Sequence, residues 1–260
     1  MRSRRDGRLD AHGGSPKAVN DVELGDVMRC VRCRGPLAGW RDAKTNFACP
    51  GCGAGVWVDD TAIDFVPNRP PPAAWGERAM QSGWLARVYD RWWRPVLFGL
   101  STALGAPSAE EETGRVMDLL AGREGPWLDL SCGPGKLTRR FVDAPGGREV
   151  FGLDLSRAML AQARVAAPGA VLVRADAADL PFEDGVFGGV ANMAALDLYP
   201  DPARVVREAA RVLAPGGRWV GSTFVVGAGE PLADWVRRAG LSRFGQSSFR
   251  GYLIAWADKD

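Results

Sequence analysis

A short strand followed directly by two closely spaced glycines constrains the fold of this chain more than any other feature. The strand, Trp-Leu-Asp-Leu over residues 127–130, leads into Gly133-Pro134-Gly135, and an amphipathic run over 136–142 begins directly afterwards. Glycine lets another molecule approach the backbone closely, and the first N–H groups of a helix have no partner within it. The pattern therefore predicts a strand, a turn and a helix arranged around a nucleotide-type cofactor.

The glycine spacing and a nearby acid indicate which cofactor this is. A dinucleotide site has a third glycine three residues after the second, and Thr138 stands there instead. Asp129 lies on the strand before the glycines. Its carboxylate would repel a pyrophosphate and attract an α-amino group, which favours a cofactor with an amino-acid end, such as S-adenosylmethionine.

Two further strands end at acids that suit the rest of such a cofactor. The run 149–154 ends in Asp154, where a carboxylate can accept hydrogen bonds from both ribose hydroxyls. The run 170–174 leads into Asp176, whose carboxylate can accept a hydrogen bond from an adenine amino group. We therefore expect the three acids to lie along one cofactor.

Four motifs in order carry a resemblance to a known family. They are Asp129-Leu-Ser-Cys-Gly-Pro-Gly135, Gly152-Leu-Asp-Leu-Ser156, Asp176-Ala-Ala-Asp-Leu-Pro-Phe182 and Arg211-Val-Leu-Ala-Pro-Gly-Gly217. Together they resemble the class I S-adenosylmethionine-dependent methyltransferases of the type-11 group. The resemblance implies an enzyme of the α/β class, with a Rossmann-like, doubly wound, mostly parallel sheet that ends in an antiparallel hairpin. It also implies a set of cofactor-binding residues: Asp129, Ser131, Gly133, Gly135, Asp154, Leu155, Asp176, Ala177, Asn192 and Tyr89.

The remaining apolar patterns supply the other elements of that fold. Helices are predicted over 110–121, 202–213 and 230–239, strands over 185–192 and 218–226, and a terminal hairpin over 241–246 and 249–257. At one position the chain departs from the family, because Gly188 stands where relatives usually carry aspartate.

The N-terminal quarter of the chain predicts a separate small module. Residues 1–21 read as a disordered leader, 22–66 as a zinc ribbon, 67–76 as a proline-rich linker and 77–260 as the methyltransferase domain. Cys30, Cys33, Cys49 and Cys52 have the spacing C-x₂-C-x₁₅-C-x₂-C, and four thiolates would bind Zn²⁺ in a structural site without an open position. The alternatives are four reduced cysteines without metal or a disulfide pair.

The acceptor and the catalytic groups are less sharply indicated. Tyr89, Trp92 and Trp93 recur at helical spacing and form either core packing or an aromatic lid over the sulfonium. Met193 begins the segment 193–199 at the carboxyl end of a strand, where ligands bind in such sheets, so Trp92, Trp93 and Met193 are predicted substrate contacts. Residues 77–260 contain no histidine. Asp197 is therefore the first candidate for a general base and Tyr199 the second, although Asp197 could instead be a helix cap or a surface acid.

Charge and domain layout leave two functions open. Residues 76–260 hold equal numbers of basic and acidic side chains, which favours oxygen or carbon methylation of a small molecule, as in biosynthesis. Ribosomal RNA guanine N1-methyltransferases also carry an N-terminal zinc ribbon, so RNA base methylation is the alternative. The C-terminal residues 239–254 more closely resemble a second group, the poorly characterised plastid and bacterial methyltransferases. A ribbon-bearing interaction protein with a degenerate cofactor site is a third hypothesis. Without an apolar run of 18 residues or a secretory signal, we expect no membrane partner and a cytoplasmic location.

Overall fold

The computed structural model describes residues 27–37, 46–68, 107–224, 232–249 and 251–260. The strands of these residues are β1 (Phe47–Ala48), β2 (Gly55–Val58), β3 (Ile63–Asp64), β4 (Trp127–Leu130), β5 (Val150–Asp154), β6 (Val171–Arg174), β7 (Phe187–Asn192), β8 (Leu213–Phe224), β9 (Ser242–Phe249) and β10 (Tyr252–Asp258). Their helices are α1 (Ala109–Leu120), α2 (Lys136–Val142), α3 (Arg157–Ala166), α4 (Pro202–Val212) and α5 (Leu232–Arg238), with a 3₁₀ turn at Leu196–Leu198.

All ten strands form one sheet, in the order β1-β2-β3-β6-β5-β4-β7-β8-β10-β9. The six strands from β3 to β8 in this order are parallel, whereas β1, β2 and the hairpin β9–β10 pair antiparallel with their neighbours. The chain places β5 and β6 on one side of β4 and then β7 and β8 on the other. A crevice forms where the strand order reverses in this way, at the carboxyl ends of the strands. The predicted Rossmann-like, mostly parallel sheet with a terminal antiparallel hairpin is confirmed.

The sheet is covered by helices on both faces, which explains why its central strands are almost continuously apolar. On one face Phe151, Phe182 and Phe187 meet edge to face, and the apolar sides of α4 and α5 complete this cluster. On the other face Trp127 packs edge to face on Phe141 of α2, together with residues of α1 and α3. The two clusters fix the sheet rigidly between two helical layers.

Local sequence explains where three helices begin. Ser108 accepts a hydrogen bond from the Glu111 backbone before α1, and Glu111 reaches back to Ser108 in a capping box. Ser156 accepts a hydrogen bond from the Met159 backbone before α3, and Asp201 caps α4 with Pro202 in its first turn. These caps fix where the three helices begin.

The last third of the sheet differs in its boundaries from the sequence prediction. Strand β8 begins five residues before the predicted Arg218, because residues 216 and 217 exchange backbone hydrogen bonds with Lys259. The hairpin turn includes Gly251, whose φ of 73° suits glycine, rather than falling between 246 and 249. The first residue of β8, Leu213, pairs with Phe187 of β7, which lies 26 residues away. The hairpin boundary is instead set locally, where Phe249 pairs with Tyr252.

The cysteine-bearing segment, predicted as a small module, continues the sheet of the larger domain. Ile63 and Asp64 of β3 pair in parallel with Val173 and Arg174 of β6, and Met28 forms an antiparallel bridge with Phe182. Ile63 and Phe65 are buried in the same apolar cluster as the α4 face of the sheet. We call residues 27–37 and 46–66 the cysteine module.

Some predicted segments fall outside the described part of the chain. The leader 1–21, the linker residues 69–76 and the aromatic stripe of Tyr89, Trp92 and Trp93 are among them. Among the described helices, none is both long enough and apolar enough to cross a bilayer.

Candidate functional site

The carboxyl ends of β4 and β5 are tied together around the glycine turn. Asp129 is buried in β4 and accepts a hydrogen bond of 2.6 Å from the Thr138 hydroxyl of α2. The Gly133 backbone N–H donates to Asp154 Oδ2 over 2.9 Å. The first strand, the turn and the acid of the second strand therefore form one hydrogen-bonded unit.

The two glycines of this turn serve different purposes. Gly133 has a φ of 53°, and no described atom lies within 4 Å of where a Cβ would stand. Gly135 has a φ of 83°, and a Cβ there would lie 2.8 Å from the Cα of Ala163. Gly133 thus leaves open space above the turn for a bound molecule, whereas Gly135 lets the start of α2 pack directly on α3.

Asp154 ends β5 and Asp176 follows β6, and the sequence predicts that they bind the ribose and the adenine. Burial raises the pKa of Asp154, and the backbone N–H groups of Ser156 and Gly133 oppose this by donating to its carboxylate. Asp176 accepts the Ala178 N–H over 3.0 Å, which shapes the turn after β6, and Ala177 is buried in that turn. The Leu155 carbonyl accepts a hydrogen bond of 2.9 Å from Arg174 Nε.

Tyr199 closes the segment 193–199 onto the strand ends. Its hydroxyl shares a hydrogen bond with Ser131 Oγ and accepts another, of 3.0 Å, from Asn192 Nδ2. Ser131 has a φ of 62°, a conformation that is uncommon for a residue with a side chain. Burial raises the pKa of Tyr199, so the phenol stays protonated at neutral pH. The geometry therefore suits Tyr199 as an anchor for the segment better than as a base.

Asn192 presents an unsatisfied acceptor at this point. Its side chain is fully buried at the end of β7, and Nδ2 also donates to the Leu130 carbonyl over 2.8 Å. Its Oδ1 has no hydrogen-bond partner within the described part of the chain. A buried acceptor without a partner costs about 1–3 kcal/mol, so a bound molecule that brings a donor would be stabilised here.

Met193 and Asp197 belong to the same segment 193–199, which Tyr199 joins to Ser131 and Asn192. Met193 lines a cleft of about 440 Å³ together with residues of α1 and α2, among them Glu112 and Lys136. Asp197 is exposed in the 3₁₀ turn and accepts a hydrogen bond of 3.2 Å from the Thr223 hydroxyl. The cap of α4 is Asp201 rather than Asp197. Asp197 is therefore a solvent-accessible acid next to Thr223 of β8.

A buried polar network beside Met193 has no counterpart among the residues predicted from the sequence. Glu112 of α1 is 3% exposed and accepts hydrogen bonds from the hydroxyls of Ser222 and Tyr252. Ser222 Oγ in turn accepts the Ala194 N–H over 2.8 Å, and Ala194 has a φ of 50°. The helical period did hold a signal, because Glu112 shares one face of α1 with the buried Val116 and Leu120.

Cys132, in the middle of the glycine turn, is a packing residue. It is buried, and burial together with the nearby Asp154 and Asp129 raises the pKa of its thiol. A thiol in this state is neutral and a poor nucleophile.

The four cysteines of the cysteine module come together in one cluster. Their Sγ atoms all lie within 4.8 Å of one another, with separations of 3.6 Å for Cys30–Cys52 and for Cys33–Cys49, and all four are free. Zinc–sulfur bonds of about 2.3 Å in a tetrahedron imply sulfur atoms about 3.8 Å apart. The donor set and its spacing therefore fit one Zn²⁺.

The backbone around the thiols also fits a metal site. A Cβ at Gly35 would lie 3.3 Å from Cys33 Sγ, and one at Gly51 would lie 3.4 Å from the same atom. Although burial opposes it, the N–H groups of Gly51 and Cys52 lower the pKa of Cys49 to about 7, whereas burial raises that of Cys30 to about 12. The turns thus supply donors that favour thiolates, which are the form that binds metal.

Comparisons with known proteins agree with this geometry. A family model described as a methyltransferase domain matches residues 128–221. An uncharacterised chloroplastic methyltransferase of Arabidopsis thaliana is 33% identical over 265 aligned positions, which cover 92% of this chain and 72% of the relative. The chloroplastic tocopherol O-methyltransferase of the same plant is 36% identical over 143 positions, which cover 51% of this chain and 40% of that protein.

Solved structures share the fold. Phosphoethanolamine N-methyltransferase 2 of Haemonchus contortus, in complex with S-adenosyl-L-methionine, superposes with a TM-score of 0.57 at 16% identity. The superposition covers 70% of this chain and 58% of that one. At such low identity the likeness concerns the architecture alone.

Proposed function

Because this chain belongs to the class I S-adenosylmethionine-dependent methyltransferases, we propose that it methylates an oxygen or carbon atom of a small, largely apolar molecule. The cofactor would lie across the carboxyl ends of β4, β5 and β6. When bound, it supplies an electrophilic methyl group on its sulfonium.

In this proposal, different residues of the crevice bind different parts of the cofactor. Asp154 accepts the ribose hydroxyls, and Asp176 with Ala177 receives the adenine. Gly133 leaves room above the turn, as its open Cβ direction suggests. Asp129 attracts the α-amino group, and the unpartnered Asn192 Oδ1 is an acceptor that a donor at that end of the cofactor would satisfy.

The chain contributes to the reaction mainly by alignment and by excluding water. Holding a nucleophile in line with the methyl group can supply about 7–11 kcal/mol of the barrier. Asp197 is the proposed general base, because it is the accessible carboxylate of the segment 193–199. Tyr199 holds that segment against Ser131 and Asn192, while Met193, Trp92 and Trp93 are the proposed contacts of the acceptor.

A small acceptor is favoured because two arginines of the cysteine module form ion pairs with the methyltransferase domain. Arg29 pairs with Glu183, and Arg34 pairs with Asp179, so both side chains are engaged with the methyltransferase domain. RNA recognition would need such cations for phosphate groups. The similarity to tocopherol O-methyltransferase supports the same assignment, since that relative is named for an oxygen acceptor on a small molecule.

We also propose that Cys30, Cys33, Cys49 and Cys52 bind one structural Zn²⁺. Metal analysis of protein purified without chelator should give about one zinc per chain. The double variant Cys30→Ser/Cys33→Ser should lose the metal. An unchanged zinc content in this variant would refute the ligand assignment.

The cytoplasmic location remains a prediction, because both relatives described above are chloroplastic. The likeness to ribosomal RNA methyltransferases also remains a prediction.

Methyl transfer from labelled cofactor tests the acceptor class directly. We expect label to enter a small-molecule extract and not RNA, with a rate that changes little between low and moderate salt. Label in RNA, with a binding constant that falls steeply with salt, would favour the RNA alternative. Replacing Arg32 tests the RNA alternative in parallel, because Arg32 is exposed, whereas the Arg34 side chain donates to the Leu180 carbonyl.

For the catalytic group, Asp197→Asn should lower turnover about a hundredfold, the lower end of what a general base contributes. Thr223→Val, which removes only the hydrogen-bond donor to Asp197, is the control and should retain most activity. Full turnover in Asp197→Asn would remove it from the mechanism.

A further inference from the structure

The two turns that hold the cysteines have the same backbone hydrogen bonds. In the first, the Cys30 N–H donates to the Gly35 carbonyl and the Arg34 N–H donates to the Cys30 carbonyl. In the second, Cys49, Ala54 and Gly53 repeat this pattern at the equivalent positions. The two turns are therefore copies of one local structure, which makes any difference between them informative.

They differ at the residue four positions after the first cysteine. Gly53 has a φ of 71° and Arg34 a φ of 59°, so both lie in the left-handed region. Glycine adopts this conformation freely, whereas a residue with a Cβ does so at a cost. The second turn has the residue that the backbone prefers, and the first does not. A strained residue of this kind points to a role for its side chain.

The Arg34 side chain extends to the turn that follows β6. Its Nη1 donates to the Leu180 carbonyl over 3.0 Å, and its Nη2 donates to the Asp179 carboxylate. The Asp179 N–H donates to the Asp176 carbonyl over 3.0 Å, which closes the same turn. Arg34 therefore holds the far end of the turn whose near end carries the adenine-binding acid.

A second connection runs from β3 of the module. Asp64 is 2% exposed and accepts a hydrogen bond of 2.9 Å from Arg174 Nη1. Arg174 Nε donates to the Leu155 carbonyl over 2.9 Å. Leu155 directly follows Asp154, the ribose acid, and Arg174 lies two residues before Asp176. One buried ion pair thus fixes the backbone beside both adenosine-binding acids.

We propose that the cysteine module positions the adenosine half of the cofactor, with Arg34 and Asp64 as positioning residues. Neither touches the cofactor, and each acts through a loop that does. This inference rests on the proposed cofactor site, and it gives the module a part in the methyltransferase reaction without an RNA partner.

The sharpest test is Arg34→Gly, because it gives the first turn a glycine at the position that Gly53 occupies in the second. Glycine suits the observed φ, so the variant should fold and keep its zinc content. By calorimetry, its dissociation constant for S-adenosylmethionine should rise about three- to tenfold, the loss expected for one or two hydrogen bonds. Turnover at saturating cofactor should stay near that of the wild type. The matched control is Arg32→Ala, which removes an exposed arginine two residues away.

The buried pair provides an independent variant. Asp64→Asn keeps the shape and removes the charge, and we expect the dissociation constant to rise about tenfold. Arg157 also reaches Asp64 over 3.3 Å and pairs with Asp59, so the control is Asp60→Asn, an exposed acid of the same module. If Asp64→Asn fails to fold, Arg34→Gly decides the matter alone.

A double-mutant cycle with Asp176→Ala locates the effect. Residues that act through the same turn give non-additive losses of affinity, so Arg34→Gly should add little to Asp176→Ala. Unchanged cofactor affinity in Arg34→Gly with normal zinc content, or full additivity with Asp176→Ala, would overturn the proposal. Failure of the wild type to bind S-adenosylmethionine would instead overturn the proposed cofactor site itself.

Discussion

Two regions of the crevice are built in different ways: the proposed cofactor end, at Asp129, Gly133 and Asp154, and the proposed acceptor end, beside Glu112 and Met193. At the cofactor end, Asp129, Gly133 and Asp154 lie within 26 residues of sequence. The Gly133 N–H donates to Asp154, and Asp129 accepts from the Thr138 hydroxyl of the adjoining helix. At the acceptor end, Glu112 meets Ser222 and Tyr252 from positions 110 and 140 residues away, through side chains alone. One end is thus held by a contiguous local unit and the other by distant, replaceable side chains. Such a division lets the acceptor end vary without disturbing the cofactor.

Breaking the local unit should have the largest effect. Gly135→Ala introduces a side chain at a φ of 83° and places its Cβ 2.8 Å from the Cα of Ala163, which is backbone. Strain and overpacking together should destabilise the protein by about 3 kcal/mol. Chemical denaturation measures this directly, and Gly122→Ala, at a φ of 74° on the surface with no described atom within 4 Å of the Cβ position, is the control for strain without packing. Equal stability losses in the two variants would contradict the close-packing explanation.

A change within the cofactor end that spares packing should be smaller. Asp154→Ala removes the acceptor for the ribose and should weaken S-adenosylmethionine binding by about 1.5–3 kcal/mol, as for hydrogen bonds to a charged group. Calorimetry gives the loss, and Asp143→Ala, an exposed acid at the end of α2, provides the comparison. An unchanged affinity would mean that the ribose lies elsewhere.

A change at the proposed acceptor end should lower turnover and leave cofactor affinity unchanged. Glu112→Gln keeps an acceptor for Ser222 and Tyr252 but replaces charge-assisted hydrogen bonds with neutral ones, which should cost about 1 kcal/mol of stability. Turnover should fall because the Ala194 turn is less firmly held, while cofactor affinity stays unchanged. Glu110→Gln, an exposed neighbour on α1, is the control. A loss of cofactor affinity in Glu112→Gln would show that the two ends are coupled.

The smallest effect concerns pH and the stability of the cofactor-free protein. Burial raises the pKa of Asp154 above its unfolded value. The protonated form therefore favours folding, and this contribution is complete below the unfolded pKa and lost as pH rises through the folded one. Asp154→Asn should accordingly raise the melting temperature slightly at neutral pH, with the difference shrinking towards acid pH. The same acid must be ionised to accept ribose hydroxyls well, so wild-type affinity for the cofactor should fall as pH is lowered through that pKa. A melting temperature lowered by the substitution at neutral pH would contradict this reasoning.

The cofactor end could be predicted from sequence because its signals are local. The strand Trp127–Leu130 and the helix Lys136–Val142 were predicted with the bounds observed. The acceptor end could not, since nothing near Glu112 in the sequence announces Tyr252. The same holds for Arg34 and Asp64, whose partners lie more than 100 residues away.

The structure explains why residue 188 is glycine. It stands where relatives usually carry aspartate, and the sequence offers no cause. In the structure a Cβ at this position would lie 1.5 Å from the Glu124 carbonyl oxygen. The approach of the segment before β4 therefore requires glycine, and this contact joins residues 64 positions apart.

The pairing of β3 with β6 also sets an order of events during synthesis. Ile63 leaves the ribosome 110 residues before its partner Val173. At a synthesis rate of about 5–20 residues per second, β3 remains without its partner β6 for about 5–20 seconds. During that interval the two cysteine turns can close, since their hydrogen bonds span only four or five residues each. The cysteine turns can thus form first, and they pair with the sheet only after β6 has emerged.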